Sequence, residues 1–241
     1  MAIAQICPEM QEKIANSSCF STSNLLLLKS MMSEMKVEAD SCLFWEGDPA
    51  DKLYFIEKGK VKLSKANEDG KEFVFFVFRE GDFLGQADPY SASSQIFTAK
   101  AEEDCIIGTI SKQDLESVLW QNSTLTVDFM KWMGLMHRLT QSKFRDLLLY
   151  GKSGALCSTM IRLANTYGKV TEDGIWIQQK LTNHELADYI GAARESVNRM
   201  LGEWRRKGIV DQVDGHLLIK DLNYFRTACH CEDCPIQVCR I

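Results

Sequence analysis

Residues 181–208 read LTNHELADYIGAARESVNRMLGEWRRKG, and their pattern predicts two helices joined by a sharp turn. Thr182 and Glu185 have the spacing of a capping box, in which the threonine oxygen accepts from a free helix N–H and the glutamate reaches back. Gly191 ends the first helix, where a left-handed residue is often needed. A second helix is expected from about Arg194 to Lys207. Two helices connected in this way are typical of a helix-turn-helix module.

The second helix is predicted to have one apolar and one charged face. Val197, Leu201 and Trp204 share the apolar face, and Glu195 and Arg199 lie opposite. Such side chains suit a recognition helix, because Arg can donate two hydrogen bonds to guanine and Glu can accept one from cytosine. The pattern therefore predicts a reader of double-stranded DNA. A plain helical hairpin with a solvated charged face remains the alternative.

Composition limits the class of protein. The chain has 241 residues, 45% of them hydrophobic, and a net charge of −5, which predicts one large or two modest folded domains. Residues 192–207 nevertheless carry five basic and two acidic side chains, so DNA would approach one face only. The N-terminus, MAIAQICPEMQEK, does not resemble a signal peptide, and no apolar run is long enough to span a bilayer. We expect a cytoplasmic protein without a membrane partner, whose nine cysteines are reduced thiols or metal ligands.

The order of patterns along the chain predicts an α+β fold. Short apolar runs separated by turns from about Val37 to Ile110 are typical of an antiparallel β-roll, and helices are expected over Ser21–Met35 and Ser111–Trp120. A hairpin over Val210–Ile219 would add a wing to the helix-turn-helix. We predict a roll domain over 1–120, a long dimerisation helix over 121–151, a winged helix-turn-helix over 152–222 and a cysteine-rich tail over 223–241.

Apolar residues of the long helix recur at intervals of four and three. They are Leu125, Phe129, Trp132, Met136 and Leu139. This spacing predicts a coiled-coil seam and hence a homodimer, which suits a helix-turn-helix because such modules usually work as two-fold pairs. The alternative is a core helix that packs on its own roll.

The order of roll, long helix and winged helix-turn-helix resembles the catabolite-activator/FNR family of bacterial transcription regulators. The most specific similarity is the run Arg194-Glu195-Ser196-Val197-Asn198-Arg199. The resemblance implies a regulator rather than an enzyme, which binds DNA as a homodimer and contacts RNA polymerase. It also implies that Arg194, Glu195, Asn198 and Arg199 bind DNA, with a TGTGA-type half-site as the target.

The roll departs from the family members that bind cyclic nucleotides. Those proteins carry a Gly-Glu pair and an Arg-Ser pair, whose carboxylate and guanidinium hold the ribose and the phosphate. Here the corresponding positions read Gly85-Gln86 and Ser93-Ser94, and no Arg occurs between Arg79 and Arg138. An anionic phosphate would remain unpaired. We therefore predict that the roll does not bind a cyclic nucleotide.

The C-terminal tail places four cysteines within residues 229–239, CHCEDCPIQVC. Thiolates packed this closely select zinc, copper(I) or an iron–sulfur cluster. One alternative is a zinc site in which Cys229 or His230 supplies the fourth ligand. Another is a thiol–disulfide switch.

The spacing Cys231-x2-Cys234-x4-Cys239 resembles the Bacillus-type FNR branch, whose three C-terminal cysteines hold a [4Fe–4S] cluster. In that branch an aspartate of the long helix supplies the fourth ligand, which implies Asp146 here, with Cys229 as the fallback. A salt bridge from Asp146 to Lys143 or Arg145 is the alternative. The resemblance implies an oxygen-responsive anaerobic activator. A zinc-stapled or thiol-switch regulator with another effector is the second hypothesis, and a redox enzyme is disfavoured because no nucleotide fingerprint or catalytic dyad stands out.

Overall fold

The structure is a computed structural model that describes residues 15–68, 70–86 and 93–241. It divides into two compact units. One comprises Ala15–Asn67 and Val74–His137, and the other includes Glu68–Phe73 and Arg138–Ile241. No described helix is long and apolar enough to cross a membrane.

The first unit contains the predicted antiparallel roll. Its strands are β1 (Ser33–Val37), β2 (Cys42–Phe44), β3 (Lys52–Lys58), β4 (Lys60–Ala66), β5 (Glu72–Arg79), β6 (Phe83–Gly85), β7 (Thr98–Ala101) and β8 (Cys105–Ser111). They form two four-stranded sheets, in the orders β1-β8-β3-β6 and β2-β7-β4-β5. The helices α1 (Thr22–Ser30) and α2 (Lys112–Gln121) flank the strands in sequence.

The first helix is shorter than predicted. The expectation of a helix over Ser21–Met35 is wrong after Ser30, because residues 33–37 pair antiparallel with β8. Met35, for example, lies opposite Ile107. A strand partner about 70 positions away has overridden the local helical pattern, as tertiary pairing often does.

Helix α3 (Ser123–Tyr167) combines the predicted long helix with the helix that follows it. Gly151 interrupts the helical geometry with φ 60° and ψ −165°, so residues 123–150 and 152–167 form two segments. This φ lies in the left-handed region that favours glycine. The predicted break at Gly151 is therefore confirmed.

The predicted coiled-coil seam is wrong in its residues. Leu125, Phe129 and Trp132 are 0%, 7% and 3% exposed and belong to the core of the roll, beside Phe20 and Phe83. The alternative of a helix packed on its own roll is therefore correct for this face. Sequence periodicity could not distinguish the two, because a core face and a seam share the same repeat.

The second unit contains the predicted winged helix-turn-helix. Its elements are β9 (Gly168–Thr171), β10 (Gly174–Ile177), α4 (Asn183–Asp188), α5 (Arg194–Arg206), β11 (Val210–Val213), β12 (His216–Ile219) and α6 (Leu222–Ala228). The strands form one sheet in the order β11-β12-β10-β9. The predicted hairpin turns at Asp214 and Gly215, which both have positive φ.

Candidate DNA interface and metal centre

The capping box that begins α4 is present. Thr182 Oγ1 accepts a hydrogen bond from the backbone N–H of Glu185 at 3.2 Å, and Glu185 Oε2 accepts from the backbone N–H of Thr182 at 2.6 Å. Gly191 follows the helix with φ +56°. These local features fix where α4 starts and where the chain turns toward α5.

Helix α5 has the two faces that its sequence predicts. Val197, Leu201 and Trp204 are 0%, 1% and 3% exposed. The Trp204 ring packs edge-on against Phe225 of α6, with ring centroids 4.8 Å apart. The apolar face therefore packs α5 against the rest of the winged helix-turn-helix, and the opposite face points outward.

The four predicted DNA-binding side chains, Arg194, Glu195, Asn198 and Arg199, are all exposed. Asn198 Oδ1 accepts a hydrogen bond from Asn183 Nδ2 of α4, which steers its side chain. Near the end of α5, Arg205 donates to Gln212 Oε1 of the wing. The first turn of α5 is therefore charged and faces outward, and the second half of the helix is linked to β11 by a hydrogen bond.

The tail packs on residues 152–167 of α3 through its backbone. Arg162 Nη1 donates to the carbonyl of Val238 at 3.3 Å, and Asn165 Nδ2 donates to the carbonyl of Cys239 at 2.7 Å. Thr166 Oγ1 accepts from the backbone N–H of Ile241 at 3.1 Å. Because these three anchors lie at i, i+3 and i+4, they share one helix face.

Asp146 is buried, with 2% exposure, and is surrounded by hydrogen-bond donors. Its Oδ1 accepts from Arg145 Nη2 at 2.7 Å, and its Oδ2 accepts from Arg162 Nη2 at 2.7 Å and Ser158 Oγ at 2.5 Å. The predicted alternative of a salt bridge to Arg145 is therefore present. Its role as an iron ligand stays a prediction.

The tail cysteines and Asp146 influence one another electrostatically. The pKa of Cys239 is raised to about 11. Burial is the largest cause; Arg162 opposes the rise, and Cys231, Cys234 and Asp146 add to it. These three residues, together with Cys239, are the four predicted cluster ligands.

Hydrogen bonds and ion pairs link Asp146 to the tail. Arg162 bridges Asp146 Oδ2 and the carbonyl of Val238. Arg145 bridges Asp146 Oδ1 and Glu232, and the role of these residues as a ligand set stays a prediction.

Cys229 and His230 occupy different surroundings from the other tail residues. Cys229 is 1% exposed, and the pKa of its thiol is raised to about 12. Burial is the largest cause, and Cys231 and Asp146 add to the rise. The His230 ring stacks on Tyr150, with centroids 5.1 Å apart. The predicted fallback role of Cys229 as a ligand stays untested.

No group of three or more His, Cys, Asp or Glu side chains in the described residues is arranged to hold a metal ion. The donor types nevertheless suit an iron–sulfur cluster, since Cys231, Cys234 and Cys239 are free, partly exposed thiols and thiolates are the usual ligands of such clusters. The anchors Arg162, Asn165 and Thr166 hold the backbone of this tail without any metal.

Sequence reasoning missed these anchors and the role of Ser158. A signal was present, because Arg162, Asn165 and Thr166 are polar residues with helical spacing inside a mostly apolar helix. Their partners lie 74 to 76 positions away, so the sequence could not identify them.

The roll contains a cavity of about 130 Å³. Phe76, Phe78 and Phe97 contribute to a predominantly apolar lining, and Gln86 is also part of it. No Lys or Arg occurs among the described residues that line the cavity. Among the described residues of the lining, an anionic ligand would find no ionic partner, and the expectation that the roll binds no cyclic nucleotide stays a prediction.

Two family patterns match the chain. Residues 34–122 match the family described as "Cyclic nucleotide-binding domain", and residues 154–228 match "Crp-like helix-turn-helix domain". The "Anaerobic regulatory protein" of Bacillus subtilis (strain 168) is 41% identical over 229 residues, covering 94% of this chain and 96% of that protein. The "Global nitrogen regulator" of Nostoc sp. is 30% identical over 177 residues, covering 72% and 78% of the two chains. A solved structure of a CooA mutant from Carboxydothermus hydrogenoformans has a TM-score of 0.72 at 20% identity, covering 83% and 88%, and so shares the fold.

Proposed function

Because the chain belongs to the CRP-like family of transcription regulators, we propose that it is an oxygen-responsive anaerobic activator. In this proposal Cys231, Cys234, Cys239 and Asp146 hold a [4Fe–4S] cluster, and a homodimer reads a TGTGA-type palindrome. The family consists of DNA-binding regulators and not of enzymes. The name of the Bacillus relative, an anaerobic regulatory protein, supports the same role.

The observation that supports the proposal is that two arginine side chains join Asp146 to the cysteine tail, although Asp146 precedes Cys231 by more than eighty positions. Arg162 bridges Asp146 and the carbonyl of Val238, which precedes Cys239. Arg145 bridges Asp146 and Glu232, which follows Cys231. Thiolates are the ligands that iron–sulfur clusters prefer, and a carboxylate oxygen is acceptable to iron. Three cysteines and one aspartate would complete the four corners of one cubane.

The residues of this chain connect the proposed centre to the DNA-binding helix. The first tail cysteine, Cys229, directly follows α6, and Phe225 of α6 packs on Trp204 of α5. Asp146 belongs to the helical segment that precedes the break at Gly151. A bound cluster would supply an oxygen-labile link between that segment and the tail. Residues 162–166 hold the other side of the tail in either state.

An exposed stripe on α3 supports the homodimer. Val127, Met130, Phe144 and Leu148 are 51%, 65%, 62% and 65% exposed in the single chain. Val127 and Met130 are three positions apart, and Phe144 and Leu148 are four apart, which is heptad spacing. The exposed residues at the heptad positions between the two pairs are Gly134, His137 and Gln141. Exposed apolar residues at such spacing suit the pairing of two helices. We therefore propose the stripe, rather than the buried face with Leu125 and Phe129, as the dimer seam.

Anaerobic purification tests the proposal. We expect a brown protein that contains iron and acid-labile sulfide and bleaches in air, whereas a colourless protein with bound zinc would support the zinc-stapled regulator. Asp146→Ala is expected to abolish anaerobic activation, and Asp146→Cys to retain a cluster with an altered Mössbauer spectrum. If both variants behave as the wild type, Asp146 is only a salt-bridge partner. RNA polymerase is the further partner that an activator requires.

A further inference from the structure

The two carboxylate oxygens of Asp146 have different surroundings. Oδ2 accepts from Arg162 and Ser158, whose side chains are buried at 3% and 6% exposure. Oδ1 accepts from Arg145, through Nη2 at 2.7 Å and Nε at 3.1 Å. Lys143 is a further buried cation that interacts electrostatically with Asp146. Oδ2 is therefore held by two buried donors, and Oδ1 by a guanidinium at the edge of the site.

Arg162 is fixed by contacts on several sides. Besides Asp146, it donates to Ser142 Oγ at 3.0 Å, Ser158 Oγ at 3.3 Å and the carbonyl of Val238 at 3.3 Å. Its movement would break all these hydrogen bonds and leave buried acceptors unpaired. Arg162 is therefore suited to hold Oδ2 permanently.

Arg145 is less constrained. Its side chain is 21% exposed, and its Nη1 pairs with Glu232, an exposed residue of the tail between Cys231 and Cys234. Arg145 also acts electrostatically on Cys229, so its guanidinium lies near the cysteine set. A long side chain at the edge of the site can leave Oδ1 and reach solvent without disrupting the buried network.

We infer that Arg145 is the exchangeable counter-cation of the proposed cluster site. Its guanidinium pairs with Asp146 Oδ1 in the cluster-free protein, and a cluster held by Asp146 would displace it from that carboxylate. Arg162 and Ser158 hold Oδ2 in both states. The inference rests on the proposed function and adds the residue that competes with iron for its carboxylate ligand.

Asp146 Oδ1 has a cation beside it in the cluster-free protein, and iron would supply one in the cluster-bound protein, which would avoid the cost of an unpaired buried charge. In the cluster-free protein the ion pairs from Asp146 to Arg145 and on to Glu232 are partly exposed contacts between the long helix and the tail, and cluster binding would replace the first of them.

The test compares Arg145→Gln with Arg162→Gln as a matched pair, since both remove one guanidinium from the same carboxylate. We measure the denaturant midpoint of the cluster-free proteins, and the rate at which anaerobically reconstituted proteins lose iron to a chelator. Arg145→Gln is expected to lower the midpoint and to slow iron loss by roughly two- to fivefold, the size expected when a partly exposed competing ion pair is removed. Arg162→Gln is expected to lower the midpoint and to speed iron loss.

Two further variants keep the result interpretable. Arg145→Lys retains the charge and should lose iron at close to the wild-type rate, and Glu232→Gln should lower only the midpoint of the cluster-free protein. If Arg145→Gln loses iron as fast as Arg162→Gln, Arg145 supports the cluster and the inference is overturned. That failure differs from failure of the proposed function, in which the wild type itself takes up no iron or sulfide.

Discussion

Replacing Arg199 by Ala tests base recognition by α5. The side chain is exposed on the face opposite Val197 and Leu201, and it forms no hydrogen bond or ion pair within the described residues. Its truncation should therefore leave the free energy of unfolding nearly unchanged. Any loss of DNA affinity then reports the contact with DNA itself.

The expected loss follows from the number of contacts. A bidentate Arg–guanine pair is worth about 1–3 kcal/mol of discrimination. A homodimer presents α5 twice to a palindrome, so the full site should lose about 2–6 kcal/mol, and its Kd should rise roughly 30-fold to 10⁴-fold. A single half-site should lose about half of this free energy.

Fluorescence anisotropy provides the assay, with a TGTGA-type palindrome and variants changed at one base pair at a time. Arg199→Ala should no longer discriminate at the contacted base pair, and its salt dependence should match that of the wild type, because a base contact releases no phosphate counterion. Arg206→Ala, about two turns further along the same face of α5, is the control and should not change base preference. The reasoning is refuted if Arg199→Ala weakens all sequences equally and reduces the salt slope.

Further expectations concern the other sites. Cyclic AMP should give no calorimetric signal and no change in DNA affinity, because no described cavity residue is cationic; micromolar binding would contradict this. Cys239→Ser should abolish bound iron and visible absorbance in the anaerobic protein, whereas Cys229→Ser should retain both; the reverse result would reassign the ligands. Met130→Glu should convert the dimer to a monomer in analytical ultracentrifugation, while Trp120→Glu, on α2, should leave it dimeric; an intact Met130→Glu dimer would exclude the exposed stripe as the seam. Hydrogen bonds from the backbone N–H of Ser21 and, next in size, from the side chains of Asn24 and Lys131 lower the pKa of Asp128. This carboxylate therefore stabilises the fold above its unfolded pKa of about 4, and that stability is lost as the pH falls below this value. Asp128→Asn should flatten the acid limb of a pH–stability curve, and an unchanged limb would remove this role.

The DNA-binding module could be predicted from the sequence because its signals are local. The capping box at Thr182, the left-handed Gly191 and the apolar face of α5 each depend on residues within a few positions of one another. The break at Gly151 belongs to the same class, since it requires only a residue that tolerates positive φ. Short-range hydrogen bonding and steric limits act before any tertiary contact forms.

The partners of buried groups could not be predicted in this way. The sequence singled out Asp146 and the tail cysteines, and offered Arg145 as an ion-pair partner. It did not indicate Arg162, which lies sixteen positions from Asp146 and also contacts the tail. A buried charge selects its partners by proximity in the folded chain, and periodicity carries no information about that distance.

The long helix shows the same limit for apolar residues. Its repeat predicted correctly that one face is buried, but Leu125, Phe129 and Trp132 are covered by the roll of their own chain. Apolar residues left open on this helix include Val127, Met130, Phe144 and Leu148. The sequence determined that the helix is amphipathic, and only the tertiary structure decided which apolar side chains pack within the chain and which remain for a partner. The physical reason is that burial of apolar surface is non-directional, so the same stripe is stabilised by whichever surface covers it.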